Sequence, residues 1–286
     1  MRADIEIVGV VTNPDRPAGR GLDPRPPPVK VAAHGASLDV IQPKKARDPA
    51  LEAWLRGRDP DVATVVAYGK ILPRPLLEVP RLGFVNVHFS LLPQYRGATP
   101  VQRAIIDGLD RTGVSIMLLT EGMDEGPILA TAELAIEEEE TAGELGERLA
   151  ELGAALLVEA LEGYESGAMV PREQDHDRAS YAPKVSPDEA RVEWARSARE
   201  IKDLVRGLNP APGAWTTIRG KRVNLHRVRA ASGPALDPGE IDPSGERAGT
   251  GRGVVELLEV QLEGRRVMSG AELGRGLRVT PGERFE

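Results

Sequence analysis

The sequence of 286 residues contains no cysteine. The chain can therefore form no disulfide, cannot bind zinc through thiolates and offers no thiol nucleophile. Its four histidines are too scattered for metal-ligand spacing: His34, His88, His176 and His226. No apolar run approaches the roughly 18 residues of a membrane span, and no charged-then-apolar leader with a cleavage site is visible. These absences predict no bound metal, no membrane contact and a cytoplasmic location.

Charge of the two signs is unevenly distributed. The net charge is −7. Residues 1–190 hold 20 Lys and Arg against 31 Asp and Glu, whereas residues 191–286 hold 17 against 13. A basic C-terminal third beside an acidic part favours contact with a polyanion there, because phosphates are bound mainly by Lys and Arg. The same excess is also compatible with an ordinary solvated surface, so charge alone leaves both interpretations open.

An amide and an imidazole interrupt the apolar run of residues 83–89, which predicts a buried strand. Asn86 and His88 are two residues apart, so their side chains leave the same face of the sheet. Asp124 lies in a Gly-flanked turn further along the chain, and loops at the end of a sheet are where open α/β folds bind ligands. An isolated strand histidine is more often a satisfied core residue, and that alternative stays open on these residues alone.

Two hydrogen-bond donors and a carboxylate suit acyl transfer through a tetrahedral oxyanion. Asn86 and His88 would stabilise the oxygen, while Asp124 would position the imidazole and relay protons. This chemistry needs no covalent nucleophile.

The surrounding residues resemble the 10-formyltetrahydrofolate-dependent formyltransferases. The resemblance begins with Asn86-Val-His-Phe-Ser-Leu-Leu-Pro93, continues to Ile106 and includes residues 112–117 and Glu121-Gly-Met-Asp-Glu-Gly126. It implies 10-formyltetrahydrofolate as formyl donor, and Asn86, His88 and Asp124 as catalytic residues. It also implies that the folate lies against two loops, formed by Ser90, Leu91, Leu92 and Pro93 and by Glu121, Gly122, Met123 and Gly126.

Segments outside this core are similar to the family members that act on methionyl-tRNA. They include Thr12-Asn-Pro-Asp-Arg-Pro-Ala-Gly-Arg-Gly21, residues 66–73, 181–184 and 204–215, and Pro281-Gly-Glu-Arg284. The resemblance implies formylation of the α-amino group of initiator methionyl-tRNA, and we expect a monomer. The implied tRNA contacts are Arg16 and Arg20 in the first loop and, at the C-terminal end, Arg206, Lys221, Arg222, Arg227 and Arg229.

Alternating apolar strands and helices predict an α/β fold, with a Rossmann-like, mostly parallel sheet followed by a small OB-like β-barrel. Strands are expected at residues 6–11, 38–41, 61–68 and 83–89, then at 215–218, 222–228 and 254–260. Helices are expected at residues 29–34, 48–55, 99–108, 145–161 and 197–207, and Thr141 to Glu144 has capping-box spacing. The domain prediction is a catalytic domain over 1–185, a linker and helix over 186–207, and the barrel over 208–286.

Two departures from the family affect these expectations. The first loop continues Leu22-Asp-Pro-Arg25 where many relatives carry consecutive lysines, so its positive potential is reduced. Relatives usually open with an apolar strand, a Gly-Thr-Pro-x-Phe turn and a helix, and here Met1 to Asp4 stand in their place. The implied loss of a central strand would leave backbone groups unpaired, so we expect this form to be less stable than one extended upstream.

Alternative functions remain open at this point. A sugar-nucleotide N-formyltransferase would use the same catalytic residues and folate, although the basic first loop disfavours it. A formyl-folate hydrolase would accept water instead of an amine. A non-catalytic RNA-binding module, or a truncated inactive copy, would not need the three candidate catalytic side chains.

Overall fold

The computed structural model describes residues 5–18 and 23–286. Met1 to Asp4, on which the expectation of a shortened N-terminus rests, and Arg20 lie outside the described residues. The elements of the first 165 residues are, in chain order, β1 (Val10–Val11), β2 (Arg16–Ala18), β3 (Asp23–Arg25), α1 (Pro28–Gly35), β4 (Val40–Ile41), α2 (Pro49–Arg56), β5 (Ala63–Val65), α3 (Arg74–Leu77), β6 (Phe84–His88), β7 (Arg96–Gly97), α4 (Pro100–Ile106), β8 (Arg111–Leu118), β9 (Ile128–Ala135) and α5 (Ala142–Glu165).

The rest of the chain is mainly antiparallel sheet. After a short 3-10 helix at His176–Arg178 come β10 (Tyr181–Ala182), α6 (Ala198–Gly207), β11 (Ala214–Ile218), β12 (Lys221–Ala231), β13 (Arg247–Gly249), β14 (Val254–Leu262) and α7 (Gly270–Leu277).

The chain forms two compact units. The first comprises Met1–His88, Ser115–Ala130 and Leu156–His176, and the second comprises Phe89–Val114, Thr131–Ala155 and Asp177–Glu286. Strands β8 and β9 and helix α5 each contribute residues to both units.

The first unit is an α/β assembly with parallel strand pairs. Strand β1 is parallel to β4, and β5 is parallel to β6, which lies antiparallel to β8 on its other side. The apolar core beside these strands includes Leu51, Leu55, Leu76 and Phe84. The predicted Rossmann-like class is confirmed, because the parallel pairs alternate with helices.

Three predicted strands are shorter than the sequence indicates. The run 6–11 is paired only at Val10–Val11, the run 38–41 only at Val40–Ile41, and the run 61–68 only at Ala63–Val65. Ile5 and Ile7 are exposed. Apolar periodicity predicts which residues can be buried, whereas a strand also requires hydrogen bonds to a neighbouring backbone. Only the end of the first run has such a neighbour, where the Val10 amide donates to the Asp39 carbonyl.

Local signals place the helix starts. The Asp48 carboxylate caps α2 by accepting a hydrogen bond from the Ala50 amide at 3.0 Å. Pro100 occupies the first turn of α4, as predicted. At the start of α5, Glu144 accepts from the Thr141 amide at 2.8 Å, and the Thr141 hydroxyl accepts from the Glu144 amide at 3.3 Å. The capping box predicted from the spacing is therefore present.

The C-terminal sheet of the second unit has the order β11-β12-β14-β13 and is antiparallel throughout. The register of β12 against β14 shifts between Leu225 and Val228, which indicates a β-bulge, a feature that increases the local twist of a sheet. Ile201 of α6, Leu225 and Val260 are buried in its core, where Trp194 stacks on Phe285 with ring centroids 5.1 Å apart. The barrel-like second region predicted from short alternating runs is confirmed as a curled, half-barrel sheet. Within the described ranges, no helix has both the length and the hydropathy to cross a membrane.

Candidate active site

Strand β6 carries two of the three predicted catalytic side chains. All five of its residues are buried, and its backbone pairs with β5 along one edge and with β8 along the other. Asn86 is 8% exposed and His88 is 6% exposed, and both project from the same face. Burying polar side chains costs free energy unless they have polar partners. The strand therefore holds an amide and an imidazole rigidly side by side.

The third predicted residue comes close to the second. The Asp124 carboxylate Oδ2 lies 3.7 Å from His88 Nδ1, and its side chain is 17% exposed. This separation is longer than a direct hydrogen bond and lies within ion-pair range for a protonated imidazole. Catalytic hydrogen bonds are often this long before substrate binds and shorten in the reacting complex. The arrangement can orient His88 and take up a proton.

A buried glutamine that the sequence patterns did not identify holds the loop of Asp124. The Gln174 side chain is 6% exposed, and its Nε2 donates to the carbonyl oxygens of Asp124 at 2.9 Å and Gly126 at 2.7 Å. Asp124 itself has a φ of +52°, a strained conformation that such contacts help to maintain. Gln174 lies in a polar stretch that is typical of a domain connection, so no local pattern singles it out.

Replacing Gln174 by alanine should destabilise this loop. The two carbonyl oxygens would each lose a buried donor, which costs about 1–3 kcal/mol for an unsatisfied buried group. We expect a lower thermal midpoint and a lower single-turnover rate of the reaction proposed below, because Asp124 would be less well positioned. Gln261→Ala is the matched control, since its Nε2 bonds to the Arg265 carbonyl on the exposed C-terminal sheet. Equal rates for Gln174→Ala and the control would contradict the positioning role.

The residues predicted to bind folate fall into the two loops. In the first unit, Glu121 and Met123 are exposed, and Gly126 is buried with its backbone so tight against the Leu118 carbonyl oxygen that a Cβ would collide with it. A Cβ at Gly122 would meet only the carboxylate of the exposed Glu125, a flexible side chain that can move aside. In the second unit, the Ser90 hydroxyl donates to the Gln94 carbonyl at 2.6 Å. Leu92 is buried, and Leu91 and Pro93 are half-buried.

The cations predicted to contact tRNA differ in whether they are exposed or paired with a carboxylate. Arg16 is exposed on β2, in the first unit. In the second unit, Lys221 and Arg222 are exposed, whereas Arg227 is paired with Glu144 and Arg229 with Glu256. Hydrogen bonds from the Thr141 backbone and hydroxyl, together with the Arg227 guanidinium, lower the pKa of Glu144 to about 2. Glu144 therefore stays ionised at neutral pH and neutralises Arg227.

The structure favours a structural role for Arg206 over the predicted phosphate contact. Its side chain is 11% exposed, and Nε donates to Asp203 Oδ1 at 2.7 Å. One of its terminal nitrogens donates to the carbonyls of Glu137 and Glu140, both at 3.1 Å. From the sequence, Arg206 is only a cation in a helix. Its burial could not be predicted, because it depends on a distant loop that packs against α6. The nearby Lys202 is similarly buried and paired with Glu139 at 3.0 Å.

Removing the buried cation should be far more costly than removing a surface cation. Arg206→Ala would remove the nearer cation from the buried Asp203 and leave it only Arg199 at 3.7 Å, for an expected loss of about 3–5 kcal/mol in the free energy of unfolding. Arg229→Ala, which breaks the exposed pair with Glu256, should cost at most about 1 kcal/mol. Urea denaturation of both variants measures the difference. Similar losses for the two would contradict the structural role of Arg206.

A cavity of about 370 Å³ in the second unit is distinct from the candidate catalytic residues. Its lining includes Asp110, Glu137, Arg199, Lys202, Asp203 and Arg206. Most of these charges already pair with each other or with neighbouring carboxylates. We therefore interpret the cavity as a water-filled space beside this network of ion pairs, and not as a ligand site. Across the described ranges, no three His, Asp or Glu side chains are grouped so as to hold a metal ion.

Sequence profiles of a known family match most of the chain. Residues 2–161 match the family described as Formyl transferase, and residues 184–278 match Formyl transferase, C-terminal domain. The methionyl-tRNA formyltransferase of Acidothermus cellulolyticus is 43% identical over 305 residues, covering 100% of this chain and 94% of that protein. The enzyme of the same name from Paracoccus denitrificans is 46% identical over 273 residues, covering 95% and 90%.

Solved structures share the fold at lower identity. A methionyl-tRNA formyltransferase from Clostridium thermocellum superposes with a TM-score of 0.54 at 18% identity, over 68% of this chain and 81% of that one. HypX from Aquifex aeolicus, in complex with tetrahydrofolic acid, gives 0.65 at 20% identity over 85% of this chain. This chain spans 43% of that longer protein. With its profile matches and full-length relatives, the chain belongs to the formyl transferase family.

Proposed function

We propose that this protein formylates the α-amino group of methionyl-initiator tRNA, using a folate-based formyl donor. One observation carries the chemistry: His88 lies 3.7 Å from Asp124, on a buried strand that also presents Asn86. The acceptor follows from relatives named methionyl-tRNA formyltransferase, which are about as long as this chain and 43–46% identical to it. The protein is an enzyme of formyl-group transfer.

The proposed step is direct attack of the neutral amine on the formyl carbon. The amine nitrogen forms the new C–N bond, and the carbonyl oxygen becomes an oxyanion that accepts hydrogen bonds from the Asn86 amide and the His88 imidazole. Collapse of this intermediate breaks the bond between the formyl carbon and the folate nitrogen. The proton lost by the amine passes through His88 and Asp124 to the leaving nitrogen, so charge and atoms balance.

We propose 10-formyltetrahydrofolate as the donor, bound in the first unit by the loop of Glu121 to Gly126, and the contacts expected at Ser90 to Pro93 stay a prediction. The folate-bound neighbour HypX supports a folate in this fold. On the tRNA side, Arg16, Arg20, Lys221 and Arg222 are the proposed phosphate contacts. Arg227 and Arg229 would contribute little positive charge, because carboxylates already neutralise them. The monomeric state, the cytoplasmic location and the domain limits at 185 and 207 stay predictions.

Single-turnover transfer of labelled formyl from 10-formyltetrahydrofolate tests the proposal. Three acceptors are compared under the same conditions: methionyl-initiator tRNA, an amino-sugar nucleotide and water. Formyl-methionyl-tRNA as the main product supports the proposal. Formylation of the sugar nucleotide instead, or release of free formate without transfer to an amine, would overturn it in favour of the corresponding alternative.

A further inference from the structure

Part of the polar stretch after α5 is bonded to the loop that follows β6. We call residues Ser180 to Pro183 the Ser180 segment, and both it and the loop of residues 89–99 belong to the second unit. Strand β10 in this segment is parallel to β7 in the loop, with Ala182 opposite Gly97. A pair of two-residue strands is too short to be a stable sheet in its own right. The other contacts of the segment therefore show what it holds.

Ser180 bonds to three residues of this loop through three different atoms. Its amide donates to the Pro93 carbonyl at 3.3 Å, and its carbonyl accepts from the Arg96 amide at 2.9 Å. Its hydroxyl accepts from the Tyr95 amide at 2.9 Å. Tyr95 has a φ of +56°, a strained conformation for a residue other than glycine, which persists where surrounding contacts enforce it. The Ser180 hydroxyl therefore bonds directly to a strained residue of the loop.

The contacts continue along the rest of the segment. The Ala182 carbonyl accepts from the amides of Ala98 at 3.0 Å and Thr99 at 3.2 Å, and the Thr99 hydroxyl donates to the Pro183 carbonyl at 2.7 Å. A Cβ at Gly97, which has a φ of +119°, would lie 2.9 Å from the Ala182 carbonyl oxygen, so only glycine allows this approach. The segment therefore follows the loop as far as Thr99, the N-cap of α4.

Helix α4 fastens the far end of the segment. Arg103 Nε donates to the Pro183 carbonyl at 3.2 Å, and another nitrogen of its guanidinium lies 2.9 Å from the Glu189 carboxylate. A hydrogen bond from this guanidinium, together with one from the Ser186 amide, lowers the pKa of Glu189 to about 2. Glu189 therefore stays ionised at neutral pH and keeps Arg103 beside the segment.

We propose that Ser180 is a positioning residue, which holds the loop of residues 89–99 in the conformation that accepts the formyl donor. The loop begins directly after His88 and includes Ser90 to Pro93, the residues predicted to contact the folate. Within it the Ser90 hydroxyl donates to the Gln94 carbonyl at 2.6 Å, and Ser180 bonds to the residues on either side of Gln94. A loop that is ordered beforehand loses less conformational entropy when a ligand binds. The inference rests on the proposed function and on those predicted contacts.

The test compares Ser180→Ala with a matched control. The variant removes only the hydroxyl that accepts from the Tyr95 amide and leaves the backbone bonds of Ser180 in place. We expect KM for 10-formyltetrahydrofolate to rise roughly three- to tenfold, the effect of one lost hydrogen bond, with kcat and KM for methionyl-tRNA unchanged. Ser269→Ala is the control, because its hydroxyl likewise accepts from a backbone amide, that of Glu272 at 3.2 Å. As the cap of α7 it should lower the thermal midpoint and leave KM unchanged.

Three further measurements separate positioning from a general loss of stability. Ser180→Thr retains a hydroxyl and should restore most of the affinity for the donor. Titration with 5-formyltetrahydrofolate, a stable analogue of the donor, measures folate affinity without tRNA, and Ser180→Ala should weaken it by the same factor as KM. Hydrogen exchange in residues 89–99 should be faster in Ser180→Ala and normal in Ser269→Ala, because local opening of this loop would cost less free energy.

The outcomes distinguish this inference from the proposed function. A folded Ser180→Ala protein with unchanged KM and unchanged affinity for the analogue would overturn the positioning role. A fall in kcat with no change in KM for the donor would overturn it as well. If the unmodified protein formylates no tRNA but binds the analogue, and Ser180→Ala weakens that binding, the proposed acceptor fails and the positioning role stands. If the unmodified protein binds no folate, the proposed donor fails and the inference fails with it.

Discussion

His88→Ala is expected to lower the single-turnover rate of formyl transfer by at least roughly 10³-fold. The imidazole has two tasks in the proposed mechanism, because it donates to the oxyanion and passes on the proton of the amine. Loss of one oxyanion donor typically costs about 10²–10³-fold, and loss of proton transfer adds to that. Because neither role contributes to holding the tRNA, KM for methionyl-tRNA should change little. Quench-flow at saturating donor measures the rate directly.

His226→Ala is the control for this experiment. His226 lies on β12, where its ring is 3.3 Å from Gln261, and it belongs to the C-terminal sheet. Because His88 is buried, the alanine variant also leaves a cavity, so His88→Gln, which keeps a polar side chain of similar volume, is measured beside it. Thermal midpoints establish that both variants are folded. A folded His88→Gln or His88→Ala protein with near-normal transfer would remove His88 from the mechanism.

Asp124→Asn should reduce the rate by roughly 10²–10⁴-fold with little change in stability. The substitution preserves the shape of the side chain and removes its charge. Asparagine tolerates the positive φ of +52° found at this position, so the loop should keep its conformation. The loss would therefore measure the carboxylate's part in orienting His88 and accepting the proton.

Asp59→Asn provides a closely matched control. Asp59 also has a positive φ, of 45°, but it is exposed. The same chemical change at the same kind of backbone position should leave the rate unaltered. The pair can be compared further by the pH dependence of single-turnover transfer, which the Asp124 variant alone should alter. If Asp124→Asn transfers formyl as fast as Asp59→Asn, the carboxylate does not take part in proton transfer.

Several features of the fold follow from neighbouring residues along the chain. The helix starts at Asp48, Thr99 and Thr141 were predictable because capping and proline preferences act within a few residues. Strand β6 was predictable because its apolar run is buried on both faces. The strand at 6–11 was overestimated, because pairing needs a partner backbone that the run itself does not specify.

The partners of the arginines also could not be predicted from the sequence. Arg206, Arg222 and Arg227 are equivalent in a charge count, yet one is buried on Asp203, one stacks on Trp215 and one pairs with Glu144. The sequence indicated the basic character of the C-terminal third. Which of its charges can meet a phosphate depends on side chains brought together from distant positions.

The sequence alone determined the alternation of strands and helices, the shared face of Asn86 and His88, and the resemblance to formyltransferases. These properties depend on periodicity and on contiguous motifs, which need no knowledge of packing. Only the tertiary structure placed Asp124 3.7 Å from His88 and brought Gln174 to the Asp124 carbonyl, 50 positions away in the chain. Such contacts arise when separate elements pack and must satisfy each other's buried polar groups, a requirement that no local pattern encodes.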